Sequence, residues 1–230
     1  PLYTGTDRLH RAPSPGSSNA TVSQVFVTGI PISAIGISRQ NDSVRIVGLD
    51  NGKVFRTLTA QTTGWPDVTG TIPAGYVSRA VIDPNNQNTA YVTISDYFGN
   101  STAHVYKTVN LNAATPTWTG VDGGQIPDVP VNAFAVDPAN SSYLYAGTDI
   151  GVYRSTDGGS TWQPYSNGLP RVAVFDMAIQ NPNRILRIAT HGRGMWEIFI
   201  GATGTLTGTV TASADNAPIS GATVTGPGTA

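Results

Sequence analysis

The sequence predicts an all-β fold built from a repeated four-stranded unit, and three observations carry that prediction. Segments of alternating apolar character begin at residues 32 (ISAIGI), 77 (VSRAVI), 131 (VNAFAV) and 174 (VFDMAI), at spacings of 45, 54 and 43 residues. Such alternation puts every second side chain on one sheet face, as a half-buried strand requires. Gly 26 and Pro 16 in 230 residues, without a long helical periodicity, describe a turn-rich chain. Four short strands in a unit of about 45 residues is the size of a β-propeller blade.

Taken in order, residues 2–7 (LYTGTD) match 144–149 (LYAGTD), so the chain opens on the second strand of a unit. Residues 9–11 are then a third strand and 22–26 a fourth. In the later units the inner strand comes first. Three of these strands run into Asp83-Pro84, Asp137-Pro138 and Asn181-Pro182, pairs suited to the first two positions of a type I turn. Second strands follow at 44–48, 89–93, 143–147 and 185–189, and third strands at 54–57, 105–108, 152–155 and 195–198. Trp65, Trp118 and Trp162 mark the fourth strands, and the unit 174–200 has none. Residues 1–200 thus read as four to five blades or part-blades: three full and two partial. Either about half of the ring lies outside this sequence, or the two partial blades complete each other. Against the second stands the overlap of their second and third strands.

The clearest unit is centred on Ser155-Thr156-Asp157-Gly158-Gly159-Ser160-Thr161-Trp162. Asp157 can close a turn by accepting hydrogen bonds from amides two or three residues on. Gly159 permits positive φ, the Thr161 hydroxyl can cross-brace the turn, and Trp162 supplies an apolar plug beneath it. With Ser155, these residues have an architectural role. The octet resembles the Asp-box of β-propellers in bacterial neuraminidases (BNR repeats), xyloglucan-cleaving glycoside hydrolases and the sortilin ectodomain. The resemblance implies a propeller, of which this would be a C-terminal portion, and it implies no particular activity. The matching turns before Trp65 and Trp118 have lost the pattern: 57–65 carries no Asp, and 108–118 carries extra residues.

After Ile200 the composition shifts to Gly, Thr and Ala. Residues 206–211 and 219–225 read as two strands of a new module, which resembles the opening of carboxypeptidase-regulatory-like, immunoglobulin-type repeats. Residues 201–230 are therefore expected to begin an incomplete β-sandwich, with self-association through it as one outcome.

With a net charge of −1 and both signs scattered, no basic stripe points to nucleic acid. No apolar run approaches the length of a membrane span, so no membrane insertion is expected. The absence of cysteine excludes disulfides, thiol catalysis and thiolate metal sites. Low charge density with abundant Thr, Ser, Asn and Gly suits an exported bacterial β-protein, extracellular or at the cell surface. Sequons at Asn19, Asn41, Asn100 and Asn140 read as surface loops. Three scattered histidines leave no metal site evident, and no cofactor is expected.

Sialidase chemistry needs converging arginines, whereas Arg11, Arg56 and Arg154 recur at equivalent third-strand positions. Hydrolysis of the xyloglucanase type needs two carboxylates across a cleft. Asp176 is the candidate acid, since Ala34, Arg79 and Ala133 hold its place in the other units. The bland alternative is a hydrogen bond to a neighbouring blade. In Thr190-His191-Gly192-Arg193-Gly194, resembling a closing segment of related propellers, His191 and Arg193 could grip an anionic or sugar ligand. Alternatively the run is a tight turn whose Arg braces the last blade. Tyr97 and Phe98, in a lengthened turn, could form a sugar-stacking platform or merely pack the loop. Three functions follow: a binding or scaffold protein whose propeller face engages glycan or protein, a polysaccharide-acting glycoside hydrolase, or a structural subunit of an extracellular assembly.

Overall fold

The computed structural model describes residues 1–99, 102–165, 168–201, 214 and 217. The expected module at 201–230 lies almost wholly outside these residues, as does the Asn100 sequon. Regular structure among the described residues is entirely antiparallel strand, in five separate sheets. The first blade comprises β1 (Leu2–Gly5), β2 (Leu9–Ala12) and β3 (Thr21–Val22), and the second β4 (Ile32–Ile37), β5 (Arg45–Leu49) and β6 (Val54–Thr57). The third comprises β7 (Val77–Asp83), β8 (Asn86–Ile94), β9 (Val105–Thr108) and β10 (Thr119–Gly120). The fourth comprises β11 (Val131–Val136), β12 (Leu144–Thr148), β13 (Gly151–Ser155) and β14 (Gln163–Pro164), and the fifth β15 (Val174–Gln180), β16 (Ile185–Thr190) and β17 (Met195–Phe199). This is a β-propeller arrangement of stacked meander sheets.

The fourth strands are shorter than expected. At Trp65 the strand reduces to one bridge, Phe55 to Asp67, so only the third and fourth blades have four strands. Each Trp sits just before its outer strand, because its ring must turn inward while the backbone pairs outward. The two partial blades form separate three-stranded sheets and do not complete each other.

The core is divided among the seams between blades. Phe26, Leu49, Phe55 and Trp65 fill the first seam, and Ile46, Val77, Val92 and Trp118 the second. Tyr91, Val131, Phe134 and Trp162 fill the third, and Tyr145, Val152, Val174 and Leu186 the fourth. Each seam uses a knob and a gap. A Cβ at Gly147 would lie 2.8 Å from Val174 Cγ1, and one at Gly48 only 2.2 Å from Val77 Cγ1. Glycine there lets the next inner strand press directly on the second strand's backbone.

Polar latches reinforce the seams. Trp118 Nε1 donates to Val68 O of the preceding blade at 2.7 Å, and Trp162 Nε1 to Val121 O at 2.8 Å. The third-strand cations point forward: Arg56 to Ala113 O at 2.9 Å and Lys107 to Gly158 O at 2.9 Å. These equivalent roles explain the regular spacing of the cations as repeat structure. In the Asp157 turn, Thr161 N–H (2.8 Å), Thr161 Oγ1 (2.6 Å) and Ser155 Oγ (2.8 Å) all donate to the carboxylate. The backbone donor lies four residues on, further than expected, because Gly159 N–H is taken by Ser155 Oγ at 2.9 Å. Gly159 has φ +100°, a conformation that favours glycine.

Candidate functional site

The inner strands begin, and the second strands finish, at the same end of the propeller, called here the upper end. Four inner strands share one device: a β-bulge after Ile32, Val77, Val131 and Val174. A bulge re-aims the extra residue out of the ladder. Ser78 Oγ thereby lies 2.8 Å from Thr93 Oγ1, and Asn132 reaches Ser95 and Asp149. In the fifth blade the bulged residue is Phe175, half exposed to solvent.

Around the lengthened turn of the third blade, polar side chains form a connected network. Ser95 Oγ donates to Asn132 Oδ1 at 2.6 Å, and Asn132 Nδ2 donates to Asp149 Oδ1 at 2.8 Å. Tyr97 OH donates to Asp149 Oδ2 at 2.9 Å, and that hydrogen bond raises the phenol's pKa. Both oxygens of Asp149 are thus oriented, while the Tyr97 ring remains 61% exposed. Phe98 behaves differently. Its ring lies 5.1 Å from the buried His104 ring, and it packs on the core of the second seam. The aromatic pair therefore divides into an exposed ring and a partly buried one that anchors the loop, which is the loop-packing alternative for Phe98.

Asp128 ties this loop down by accepting from Phe98 N–H at 2.9 Å and Gly99 N–H at 2.6 Å. The Phe98 amide leads the effects that hold the Asp128 carboxyl below the usual range. His104 Nε2 stands 3.2 Å from both Asp128 Oδ1 and Asp96 O, so that nitrogen carries a proton and donates. His104 N–H donates to the buried Asp122 at 2.6 Å. Thr102, His104, Asp122, Ile126 and Asp128 line a cavity of about 300 Å³ at this rim. Sequence reasoning missed Ser95, Asp128, Asn132 and Asp149 as a group. The only signal was the lengthened turn itself, since their association depends on two different blades meeting.

Asp176 lies on the inner strand β15, its side chain mostly exposed. Its Oδ1 accepts from Arg79 Nη2 at 2.7 Å, and the same Nη2 donates to Phe175 O at 2.9 Å. Arg79 belongs to β7, two blades away, at the equivalent position just after the bulge. The pair therefore passes over Ala133 of β11, whose small side chain leaves the path open. Below it, Ile35, Ile37, Val81, Ala135 and Ala178 help line an axial channel of about 320 Å³. Asp176 thus bonds another blade, though not the adjoining one: its partner Arg79 lies two blades away.

His191 N–H donates to Ala173 O at 2.8 Å, and its ring meets Phe175 edge-on at 5.5 Å. The Arg193 guanidinium makes no hydrogen bond or ion pair among the described residues. Instead the Arg193 carbonyl accepts from Trp196 Nε1 at 2.9 Å, so the turn is held by backbone and indole while the arginine is exposed. Asp176, His191, Arg193 and Tyr97 are all at the upper end, on the third and fifth blades. No group of three or more His, Asp or Glu among the described residues is placed to hold a metal.

No family model and no curated protein matches the sequence. Solved structures do share the fold. The GH74 enzyme of Niastella koreensis aligns over 74% of this chain and 28% of its own, with TM-score 0.55 and 16% identity. The GH74 xyloglucanase of Xanthomonas campestris aligns over 73% of this chain and 29% of its own, with TM-score 0.52 and 15% identity. The β-propeller domain of Cps50 (Swd1) from Myceliophteria thermophila aligns over 85% of this chain and 62% of its own, with TM-score 0.57 and 13% identity. The chain thus spans less than a third of either GH74 enzyme. At these identities the likeness establishes the β-propeller fold and nothing finer.

Proposed function

We propose that the upper end of the propeller is a glycan-binding surface of a secreted or cell-surface protein. The observation that carries this is the Tyr97–Asp149 arrangement: an exposed aromatic ring beside a carboxylate whose two oxygens are already oriented by Tyr97 and Asn132. A sugar ring offers an apolar face to an aromatic side chain and hydroxyl donors at its edge to a carboxylate. The GH74 likeness is compatible with glycan as the ligand class. Xyloglucan is the first probe. In affinity electrophoresis Tyr97→Ala is expected to weaken retention about tenfold, and Tyr97→Phe, which keeps the ring, by less. Unchanged retention in Tyr97→Ala would remove this surface from consideration.

A second reading, polysaccharide hydrolysis, draws on the exposed Asp176 beside the axis. It requires a second acid, about 6.5–9.5 Å away if the reaction inverts. Asp176→Asn is then expected to abolish release of reducing ends while leaving xyloglucan retention in place. Wild-type protein that releases none removes this reading and leaves binding.

A further inference from the structure

The turn at residues 190–194 and the loop at 170–173 meet in a feature that the Tyr97 site does not use. Through the bond from His191 N–H to Ala173 O, Arg171 and Arg193 stand two positions to either side of a shared contact. The turn is rigidly held. Thr190 N–H and Thr190 Oγ1 donate to Gly194 O at 3.0 and 2.7 Å, and Trp196 holds Arg193 O. The side chains of Arg171, His191 and Arg193 are all exposed. Among the described residues, neither guanidinium has a hydrogen bond or ion pair. The carboxylates of the neighbourhood are engaged elsewhere: Asp176 by Arg79, Asp149 by Tyr97 and Asn132, and Glu197 by Arg187.

Two residues after Ala173, and against the His191 ring, stands Phe175, 51% exposed, at the bulge position where the other blades carry Ser33, Ser78 and Asn132. Those three polar residues all spend their side chains on hydrogen bonds. Phe175 makes none and turns its ring to solvent, braced at its edge by His191. An exposed ring, with two exposed arginines that have no hydrogen bond or ion pair on the adjoining loop and turn, suits a ligand with an apolar face and a planar anionic group.

We propose that this rim of the fifth blade is a subsite for a carboxylate-bearing sugar, a uronate unit of an acidic polysaccharide. Phe175 lies under the sugar ring, and Arg171 and Arg193 take the carboxylate. The assignment rests on the reading of the upper end as a glycan-binding surface, and its chemistry is distinct from that of the acidic Tyr97–Asp149 site.

The test is affinity electrophoresis of the whole protein in gels containing polygalacturonate, its fully methyl-esterified form, dextran sulfate or xyloglucan. Polygalacturonate is expected to retard the protein and the neutral methyl ester to do so much less. The double substitution Arg171→Gln/Arg193→Gln is expected to weaken polygalacturonate retention about tenfold while leaving xyloglucan retention unchanged. Lys53→Gln, which removes a cation on the second blade, is expected to change neither. Equal retention by the methyl ester overturns the proposal, as does an unaffected double variant or an equal loss in Lys53→Gln. Dextran sulfate binding as strong as polygalacturonate binding also overturns it, in favour of a general polyanion patch. Xyloglucan retention without polygalacturonate retention sinks the subsite alone, whereas loss of all glycan retention sinks the glycan reading itself.

Discussion

The fourth and fifth blades are written in nearly the same pattern and live in different surroundings. Their inner strands begin with Val131 and Val174, both fully buried, and both carry the bulge at the next residue. Beyond that point they diverge. Val152 on β13 is 4% exposed, whereas its equivalent Met195 on β17 is 74% exposed. Tyr153 is buried and its equivalent Trp196 is not. The fourth blade is sandwiched between the third-seam and fourth-seam cores, while among the described residues the fifth contributes only to the fourth. In a stacked repeat, burial of a side chain is therefore set by the neighbouring blade and only secondarily by the strand that carries it.

That contrast can be broken most directly at the equivalent aromatics. Tyr153→Ala is expected to lower stability by about 4 kcal/mol, since it empties a filled seam, and Trp196→Ala by about 1 kcal/mol. Urea unfolding of the two variants measures the difference, and equal losses would mean that the fifth blade is as well covered as the fourth.

The next contrast is between two ion pairs. Asp137, buried in the fourth blade, receives Arg184 Nη1 at 2.6 Å and is also bonded by the fifth blade's Arg184 Nη2. Burial pushes the Asp137 carboxyl up, but Arg184 and the Ala139 amide outweigh it, and the net shift is downward. Arg184→Ala strands that buried carboxylate and is expected to cost about 2 kcal/mol, less than a fully buried pair because Arg184 itself reaches solvent. Arg187→Ala, which breaks the exposed Arg187–Glu197 pair on the fifth blade, is expected to cost about 0.5 kcal/mol or less.

The smallest effect concerns acid. Hydrogen bonds from the Thr161 hydroxyl, the Thr161 amide and the Ser155 hydroxyl lower the Asp157 pKa from 3.8 to about 2. A carboxylate depressed in the folded state adds stability above its unfolded value and loses it as pH falls through the folded one. The fourth blade is therefore expected to lose this contribution as pH drops from 3.8 to about 2. Acid titration of Asp157→Asn, followed by Trp162 fluorescence, should lack that component. An unchanged profile would show that the turn does not hold the blade at low pH.

These comparisons also mark how far the residues could be read in advance. Inner, second and third strands were legible because alternation and Asx-Pro turns act within a few residues of each other. The outer strands were overestimated, because Trp65, Trp118 and Trp162 signal the plug under the strand and not the length of its pairing. At the candidate site, Tyr97 and Asp176 were singled out, but their partners Asp149 and Arg79 belong to other blades. The Phe98 ring packs against His104, a contact that adjacency to Tyr97 in the chain does not reveal. At the 190–194 turn the hydrogen bond comes from Trp196 Nε1 to the Arg193 carbonyl, which residue type alone does not specify.

The sequence by itself determined the all-β repeat, the order of strands within each blade and the chemistry of the Asp157 turn, because each depends on neighbours along the chain. The tertiary structure decided which residues of one blade meet those of another. The Tyr97–Asp149–Asn132 network, the Arg79–Asp176 pair between the third and fifth blades and the contact of His191 with Ala173 all join residues from separate segments. Their distances follow from the stacking of sheets through knobs such as Val77 and Val174 on Gly48 and Gly147. That stacking is a packing result, and no local pattern in the chain encodes it.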